Sequence, residues 1–439
     1  MNLTTLDNAE KTEVGSYFVA NYPPFSAWSP QHVPAALAQL DAAQPADRPL
    51  GLYLHIPFCR KRCKFCYFRV YTDKNADDVE SYMKALADEV ALYAGRAGLR
   101  GRQFEFVYFG GGTPSFLSAE QLLRLIERIS RHWTWEAARE VTFECEPGTL
   151  KQSKLQAIRS IGVTRLSLGV EHFDDDILEA NGRAHRSPEV VRAYQWAREA
   201  GFPQINIDLI AGMLGEDGDK WKHAVEKAIA LDPDSVTIYQ MELPFNTILS
   251  REARQAGGQA PVATWAAKRQ MADWAFARFE EAGYTVSSAY TLVKAQRHAG
   301  FVYRDSLWHG ADMIGTGVAS FSHFAGVHFQ NLDTWEQYLQ RVGEGRLPIH
   351  RAMQMTDRQR LIRELILQMK LGAVQGAYFR EKFGVDIAAE FSEALASLEA
   401  EGMAAVRGQD VHLTRQGLLR VDGLLPRFYE PQFRGVRYT

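Results

Sequence analysis

The sequence predicts an α/β fold: a partial (β/α)6 barrel of the TIM-like kind, followed by a small helical, winged-helix-like domain. Two observations carry this. Between residues 50 and 282, short β-rich runs alternate six times with amphipathic helical runs, which argues for a parallel sheet with helical crossovers. Beyond about residue 290 the alternation fails, and residues 354 to 425 read as two helices and a short β-pair. With 439 residues the chain exceeds one average domain. The expected division is an N-terminal arm (1–49), a barrel domain (50–345) and a C-terminal domain (346–439).

In chain order, the arm contains Tyr17-Phe18 and Asn21-Tyr22-Pro23-Pro24-Phe25, then a helical patch near 32 to 42. Such an arm either wraps on the main body or covers a pocket. The six units follow: LGLYLHI with a helix over 77–94, FEFVYFGG with 118–132, EVTFECEP with 150–160, RLSLGVE with 187–200, INIDLIAGM with 219–230, and SVTIYQMEL with a long helix over 262–282. No solenoid-type repeat is present. The glycine-rich, aromatic stretch YRDSLWHGADMIGTGVASFSH reads as loops and short strands that finish the barrel domain. In the last domain the helices are MTDRQRLIRELILQMKL and DIAAEFSEALASLEAEG, and the β-pair is MAAVRGQDVHLTRQG.

Composition excludes several function classes. The formal net charge of −3 and a pI near 6.5 make no electrostatic case for nucleic acid. No apolar run approaches the ~20 residues that cross a bilayer, and MNLTTLDNAEKTE is not a signal peptide. A cytoplasmic protein is expected. The four cysteines argue against a disulfide framework.

Three of those cysteines, Cys59, Cys63 and Cys66, stand in the spacing C-x3-C-x2-C. Thiolates are soft ligands that suit iron–sulfur clusters, zinc or Cu(I). A structural zinc site wants four ligands, whereas three leave one iron of a [4Fe–4S] cluster open to a small molecule. The competing readings are a chance turn or a zinc knuckle completed by His55. Cys145, alone on a predicted strand, reads as a small core residue rather than a fourth ligand. Arg60, Lys61, Arg62 and Lys64 either keep this loop solvated or bind a carboxylated substrate.

In a β/α barrel, functional groups collect at the C-terminal ends of the strands. Here those ends carry the cysteine loop, Gly110-Gly111-Gly112-Thr113-Pro114, Glu144 and Glu146, Glu171 and His172, Asp208, and Gln240-Met241-Glu242. The glycines are expected to let backbone amides approach a ligand.

C-x3-C-x2-C followed by Tyr67 and Phe68 resembles the signature of radical S-adenosylmethionine (SAM) enzymes. The string Tyr53-x-His55-Ile56-Pro57-Phe58-Cys59 resembles one branch, the oxygen-independent coproporphyrinogen III oxidase family, and HLTRQGLLRVDGLLPRF is similar to that family's C-terminal domain. The resemblance implies a [4Fe–4S] cluster on Cys59, Cys63 and Cys66, and a SAM contacted by Tyr53, Gly111, Gly112, Thr113, Glu144 and Arg183. It also implies a second SAM at Gly112, Thr113, Glu171, Asp208 and Met241. Phe68 is assigned to cofactor binding, and Tyr67 and Glu171 to catalysis. A small-molecule substrate, an electron donor such as flavodoxin or ferredoxin, and a monomeric state complete the expectation.

The chain also departs from the family pattern. Glu171 replaces a glutamine and Met241 a small residue; Tyr67-Phe68 stand where the oxidases have glycine and cysteine. The heme motif of the chaperone relatives, H-N-x-x-Y-W, is replaced by Tyr303-Arg304-Asp305-Ser306-Leu307-Trp308-His309. These departures favour methyl or methylene transfer from the second SAM to an unsaturated carbon. Porphyrinogen decarboxylation is the second enzymatic reading. A heme chaperone with His309 or His323 as axial ligand is the non-catalytic one.

Overall fold

The computed structural model describes residues 12–255, 257, 262–297 and 300–436, so most of the polar stretch 1–13 lies outside the described residues. After the short helix α1 (Val33–Asp41), six parallel strands alternate with helices. They are β1 (Leu50–Ile56), α2 (Ala76–Ala94), β2 (Phe106–Gly111), α3 (Ala119–Ser130), β3 (Glu140–Cys145), α4 (Gln152–Ser160), β4 (Arg165–Glu171), α5 (Asp175–Ala180), α6 (Ser187–Glu199), β5 (Gln204–Ala211), α7 (Gly218–Leu231) and β6 (Ser235–Gln240). Each strand pairs in parallel with the next, with one register shift in β4 between Gly169 and Glu171. Helices cover the sheet, so the strands are buried almost end to end and read as apolar runs rather than alternating ones.

Helix starts follow from local chemistry. Capping boxes close α2 (Asn75 with Asp78) and α3 (Ser118 with Gln121), satisfying N–H groups that have no intrahelical partner.

After β6 come α8 (Ile248–Gln255), α9 (Trp265–Glu281), β7 (Tyr284–Val286), β8 (Thr291–Lys294), α10 (Val302–Trp308), β9 (Asp312–Thr316), β10 (Phe321–Phe324), β11 (Val327–Asn331), α11 (Trp335–Gly343) and β12 (Ile349–Gln354). Among the described residues these complete one sheet of order β12-β11-β10-β9-β1-β2-β3-β4-β5-β6-β8-β7. Because β1 pairs outward with β9 and β6 with β8, the six parallel strands form an open arc, the expected partial barrel.

Two details differ from the sequence reading. The stretch 303–323 contains α10 as well as strands, and β12, beyond residue 345, still pairs with β11.

The C-terminal domain comprises α12 (Asp357–Met369), β13 (Ala373–Val374), α13 (Gly376–Phe383), α14 (Ile387–Glu390), α15 (Ser392–Ala400), β14 (Ala404–Arg407), β15 (Asp410–Leu413), α16 (Arg415–Leu418) and α17 (Val421–Leu424). The predicted helix DIAAEFSEALASLEAEG breaks at Phe391, whose φ of −113° leaves the helical region. This domain has its own apolar core, and Val19 and Tyr22 of the arm are buried in it.

Candidate functional site

The C-terminal ends of the parallel strands open into one cavity of about 1230 Å³. Its floor is built from the cysteine loop between β1 and α2. The loop is pinned by backbone hydrogen bonds from Cys59 N to Tyr71 O (3.0 Å), Tyr71 N to Pro57 O (2.8 Å) and Lys64 N to Asn181 O (3.0 Å). Arg60 forks onto Glu146 (3.1 and 2.8 Å to Oε2), which also meets His185 at 3.1 Å. Glu146, read from the sequence only as a carboxylate at a strand end, therefore holds the loop against β3.

Cys59, Cys63 and Cys66 all face the cavity. Cys59 Sγ lies 3.3 Å from Thr113 Oγ1, and Arg183 donates to Cys63 Sγ at 3.3 Å. Burial pushes the Cys59 thiol up to about 11 and the Cys66 thiol up to about 12, so a bound cation is what would make them ligating thiolates. Among the described residues no three Cys, His, Asp or Glu side chains converge on a single-ion site. That opposes the zinc knuckle with His55, whereas three thiols lining one cavity can each take a different iron of a cluster. His55 is buried, with Nδ1 3.5 Å from Tyr53 Oη, and burial lowers its pKa to about 4. Cys145 is packed in the main core.

The glycine stretch has a structural requirement of its own. A Cβ on Gly112 would lie 2.8 Å from Pro57 C and 2.9 Å from Phe58 O, and the Gly112 N–H is already bonded to Ile56 O at 2.8 Å. Close passage of the chain just after β2 against the backbone leading into Cys59 requires glycine there.

The carboxylates follow in strand order. Glu144 accepts from Tyr108 Oη (2.6 Å) and from Gly111 N (3.3 Å), and burial raises its pKa to about 7. Asp208 accepts from Ser167 Oγ (3.1 Å) and Asn206 Nδ2 (2.9 Å). Glu171 sits at a bulge in β4 with φ +64°, a left-handed conformation that is strained for a residue with a Cβ. The bulge puts Glu171 on the cavity wall, 3.6 Å from the buried Arg183 guanidinium. Burial raises its pKa to about 7, while Arg183 works in the opposite direction. Met241 is buried beside Phe65, Ile177, Ile210 and Met213. Tyr67 and Phe68 stack on each other at 4.5 Å and stay 40% and 43% exposed on the same cavity.

Of the predicted residues, Tyr53 alone is set back. It stacks on Tyr108 and packs with Val302 and Tyr303 behind the wall. Three other expectations are corrected. Arg62 donates to the carbonyls of Cys66 and Asn246, Lys64 pairs with Glu252 and Arg60 with Glu146, so the loop cations are engaged by the protein. His309 bonds Asp305 O at a separate shallow site. His323 is buried 3.2 Å from His328, and neither histidine faces the main cavity.

Of the roof, sequence reasoning anticipated only the arm. Ser16, Tyr17 and Phe18 of the arm, Tyr239 of β6, Tyr290 of the β7–β8 turn, and Leu419, Arg420 and Asp422 of the C-terminal domain close the cavity. Lys370 fastens them, donating to Val19 O and to Asp422 Oδ1 (2.8 Å) beneath the Phe18 ring. The arm therefore both wraps the body and covers the pocket.

Comparison with known proteins matches residues 53–228 to the radical SAM superfamily and residues 355–420 to the HemN C-terminal domain. The heme chaperone HemW of Bacillus subtilis is 27% identical over 84% of this chain and 96% of its own length. The oxygen-independent coproporphyrinogen III oxidase of Escherichia coli is 26% identical over 91% of this chain and 90% of its own. The solved structure of the Escherichia coli coproporphyrinogen III oxidase HemN superposes with a TM-score of 0.82 at 23% identity, covering 94% of this chain and 96% of that one. Among the described residues no helix is long and apolar enough to cross a membrane.

Proposed function

Since the chain belongs to the coproporphyrinogen III oxidase-like branch of the radical SAM superfamily, we propose that it is a radical enzyme acting on a carboxylated tetrapyrrole. The observation that carries this reading is a single cavity holding the three cysteines, almost every predicted SAM contact and an aromatic roof. At about 1230 Å³ it exceeds the ~300–1,000 Å³ of an ordinary ligand pocket, leaving room for SAM and a second large molecule. When bound on Cys59, Cys63 and Cys66, a [4Fe–4S] cluster supplies the electron that cleaves SAM.

The chain's own groups do the rest. Arg183 is placed to take the SAM carboxylate, a match for its planar fork. Glu144 and Asp208 offer acceptors to ribose hydroxyls or an ammonium. Thr113 and Arg183 hold the sulfurs of Cys59 and Cys63 in place. Tyr67, Phe68, Phe18, Tyr239 and Tyr290 line the space beside them with ring faces and keep water from a reactive intermediate. A second SAM beside Glu171 and Met241 forms part of the proposal. So does an external flavodoxin- or ferredoxin-type donor, because Cys145 is the only cysteine left over.

Tetrapyrrole chemistry is placed ahead of the methyl or methylene transfer that Tyr67-Phe68 suggested, because the relatives above are coproporphyrinogen oxidases and heme chaperones. The chaperone reading is set behind it, since His309 and His323 face elsewhere.

The test is anaerobic. After cluster reconstitution, reductant, SAM and coproporphyrinogen III should give 5′-deoxyadenosine together with carbon dioxide, and Cys59→Ala should give neither. Stoichiometric heme binding without SAM cleavage would sink the proposal. Methylated product with S-adenosylhomocysteine would return the reading to group transfer.

A further inference from the structure

The cations around the cavity differ in what they already hold. Arg60 is neutralised by Glu146 and Lys370 by Asp422, Arg183 is committed to Cys63 Sγ, Glu171 and the proposed SAM carboxylate, and Arg62 is spent on two backbone carbonyls. Among the described residues Lys61 has no acid partner, but it is exposed, and an exposed ammonium is hydrated at no cost. Arg420 is different. It is half-buried, it lines the cavity, and among the described residues its guanidinium makes no hydrogen bond or ion pair.

Its setting is rigid. Arg420 is the residue before α17, and the carbonyl of Leu419 beside it is tied to β6 by Gln240 Nε2 at 2.9 Å. Two residues on, Asp422 is fully engaged by Val19 N (2.9 Å), Lys370 and the Tyr290 hydroxyl, so this nearby acid is committed elsewhere. Withdrawing a guanidinium from water without a partner is unfavourable. An Arg held this way at a cavity wall is poised for an anion brought by the ligand, and its fork matches a carboxylate in two-point geometry.

We infer that Arg420 is a specificity-determining residue that binds a carboxylate of the substrate from the C-terminal domain. The inference rests on the tetrapyrrole reading and moves recognition of the acid group from the cysteine loop, where the sequence suggested it, to the roof. It makes the C-terminal domain part of the substrate site.

The experiment compares binding of coproporphyrin III and its tetramethyl ester to the cluster-loaded full chain by equilibrium dialysis. Wild type should prefer the acid. Arg420→Gln should weaken acid binding about 10- to 100-fold, the range for loss of a charged hydrogen-bonded contact, and leave ester binding unchanged. Arg420→Lys, which keeps the charge but loses the fork, should fall between them, and unchanged melting temperatures show that both variants fold. Wild-type preference for the acid that persists undiminished in Arg420→Gln overturns the inference alone. Equal wild-type binding of acid and ester also overturns it, whereas wild-type binding of neither form overturns the tetrapyrrole reading and this inference with it.

Discussion

Arg183 joins the cysteine loop to the carboxylate wall, bonding Cys63 Sγ at 3.3 Å and the Gly169 carbonyl while lying 3.6 Å from Glu171. Arg183→Ala should raise the Kd for SAM by at least about tenfold. Arg183→Lys should recover only part of that, because an ammonium cannot fork between partners. Equilibrium dialysis with labelled SAM measures both, and equal binding by all three proteins would refute the role. At this scale the sequence was informative wherever a residue follows a strand. Cys59, Cys63, Cys66, Gly111, Gly112, Thr113, Glu144, Glu171, Arg183, Asp208 and Met241 all reach the cavity, as do Tyr67 and Phe68. Strand-end position needs only local periodicity to be read, whereas Arg183, between α5 and α6, is singled out by the family resemblance. Tyr53 lies within β1 rather than past its end, where alternation decides which face a side chain takes, and it stacks on Tyr108 behind the wall.

Elements are held by caps and by clips. Helix α12 starts at a Thr356–Gln359 capping box, and Thr356→Ala should cost about 1 kcal/mol in thermal or denaturant unfolding. Lys370, one residue past α12, clips the arm to the C-terminal domain and is fully buried. Removing one partner of a buried pair costs about 3–5 kcal/mol where the other charge is left bare. Val19 N and the Tyr290 hydroxyl still reach Asp422, so Lys370→Met should fall at the low end of that range. Its distinctive sign is local: the arm should become sensitive to limited proteolysis before the barrel melts, and Lys370→Met combined with Asp422→Asn should restore part of the loss. An arm as resistant as wild type would show that the clip holds nothing. Such clips left no trace in the sequence, because Val19, Lys370 and Asp422 are brought together only by tertiary packing. The short strand β9 was equally hard to place, since its parallel partner β1 lies far earlier in the chain.

For the whole molecule, the six alternating units were enough to read the open parallel arc, but not how it is joined to the antiparallel strands that extend it. Glu89 sits at that junction. Carried on α2 and fully buried, it accepts from Gly317 N (2.7 Å) after β9, Asn331 Nδ2 (2.6 Å) on β11 and Tyr338 Oη (2.7 Å) on α11. Burial raises its pKa from 4.5 to about 8, outweighing those three donors. The folded state therefore binds this proton more tightly than the unfolded chain, and stability must fall with pH wherever that difference operates. The contribution is complete below about pH 4.5 and is lost progressively as the pH rises through about 8. Glu89→Gln is neutral at every pH and escapes the loss, although it replaces one acceptor oxygen with a donor facing Asn331. Relative to wild type, its melting temperature should thus rise steadily between pH 5 and pH 9. At the upper end the gain should be equivalent to a few kcal/mol, because a tenfold difference in proton affinity between folded and unfolded chains is worth roughly 1.4 kcal/mol. Paired melting curves across that range decide it, and a difference that stays flat with pH would mean that Glu89 is already ionised in the folded protein.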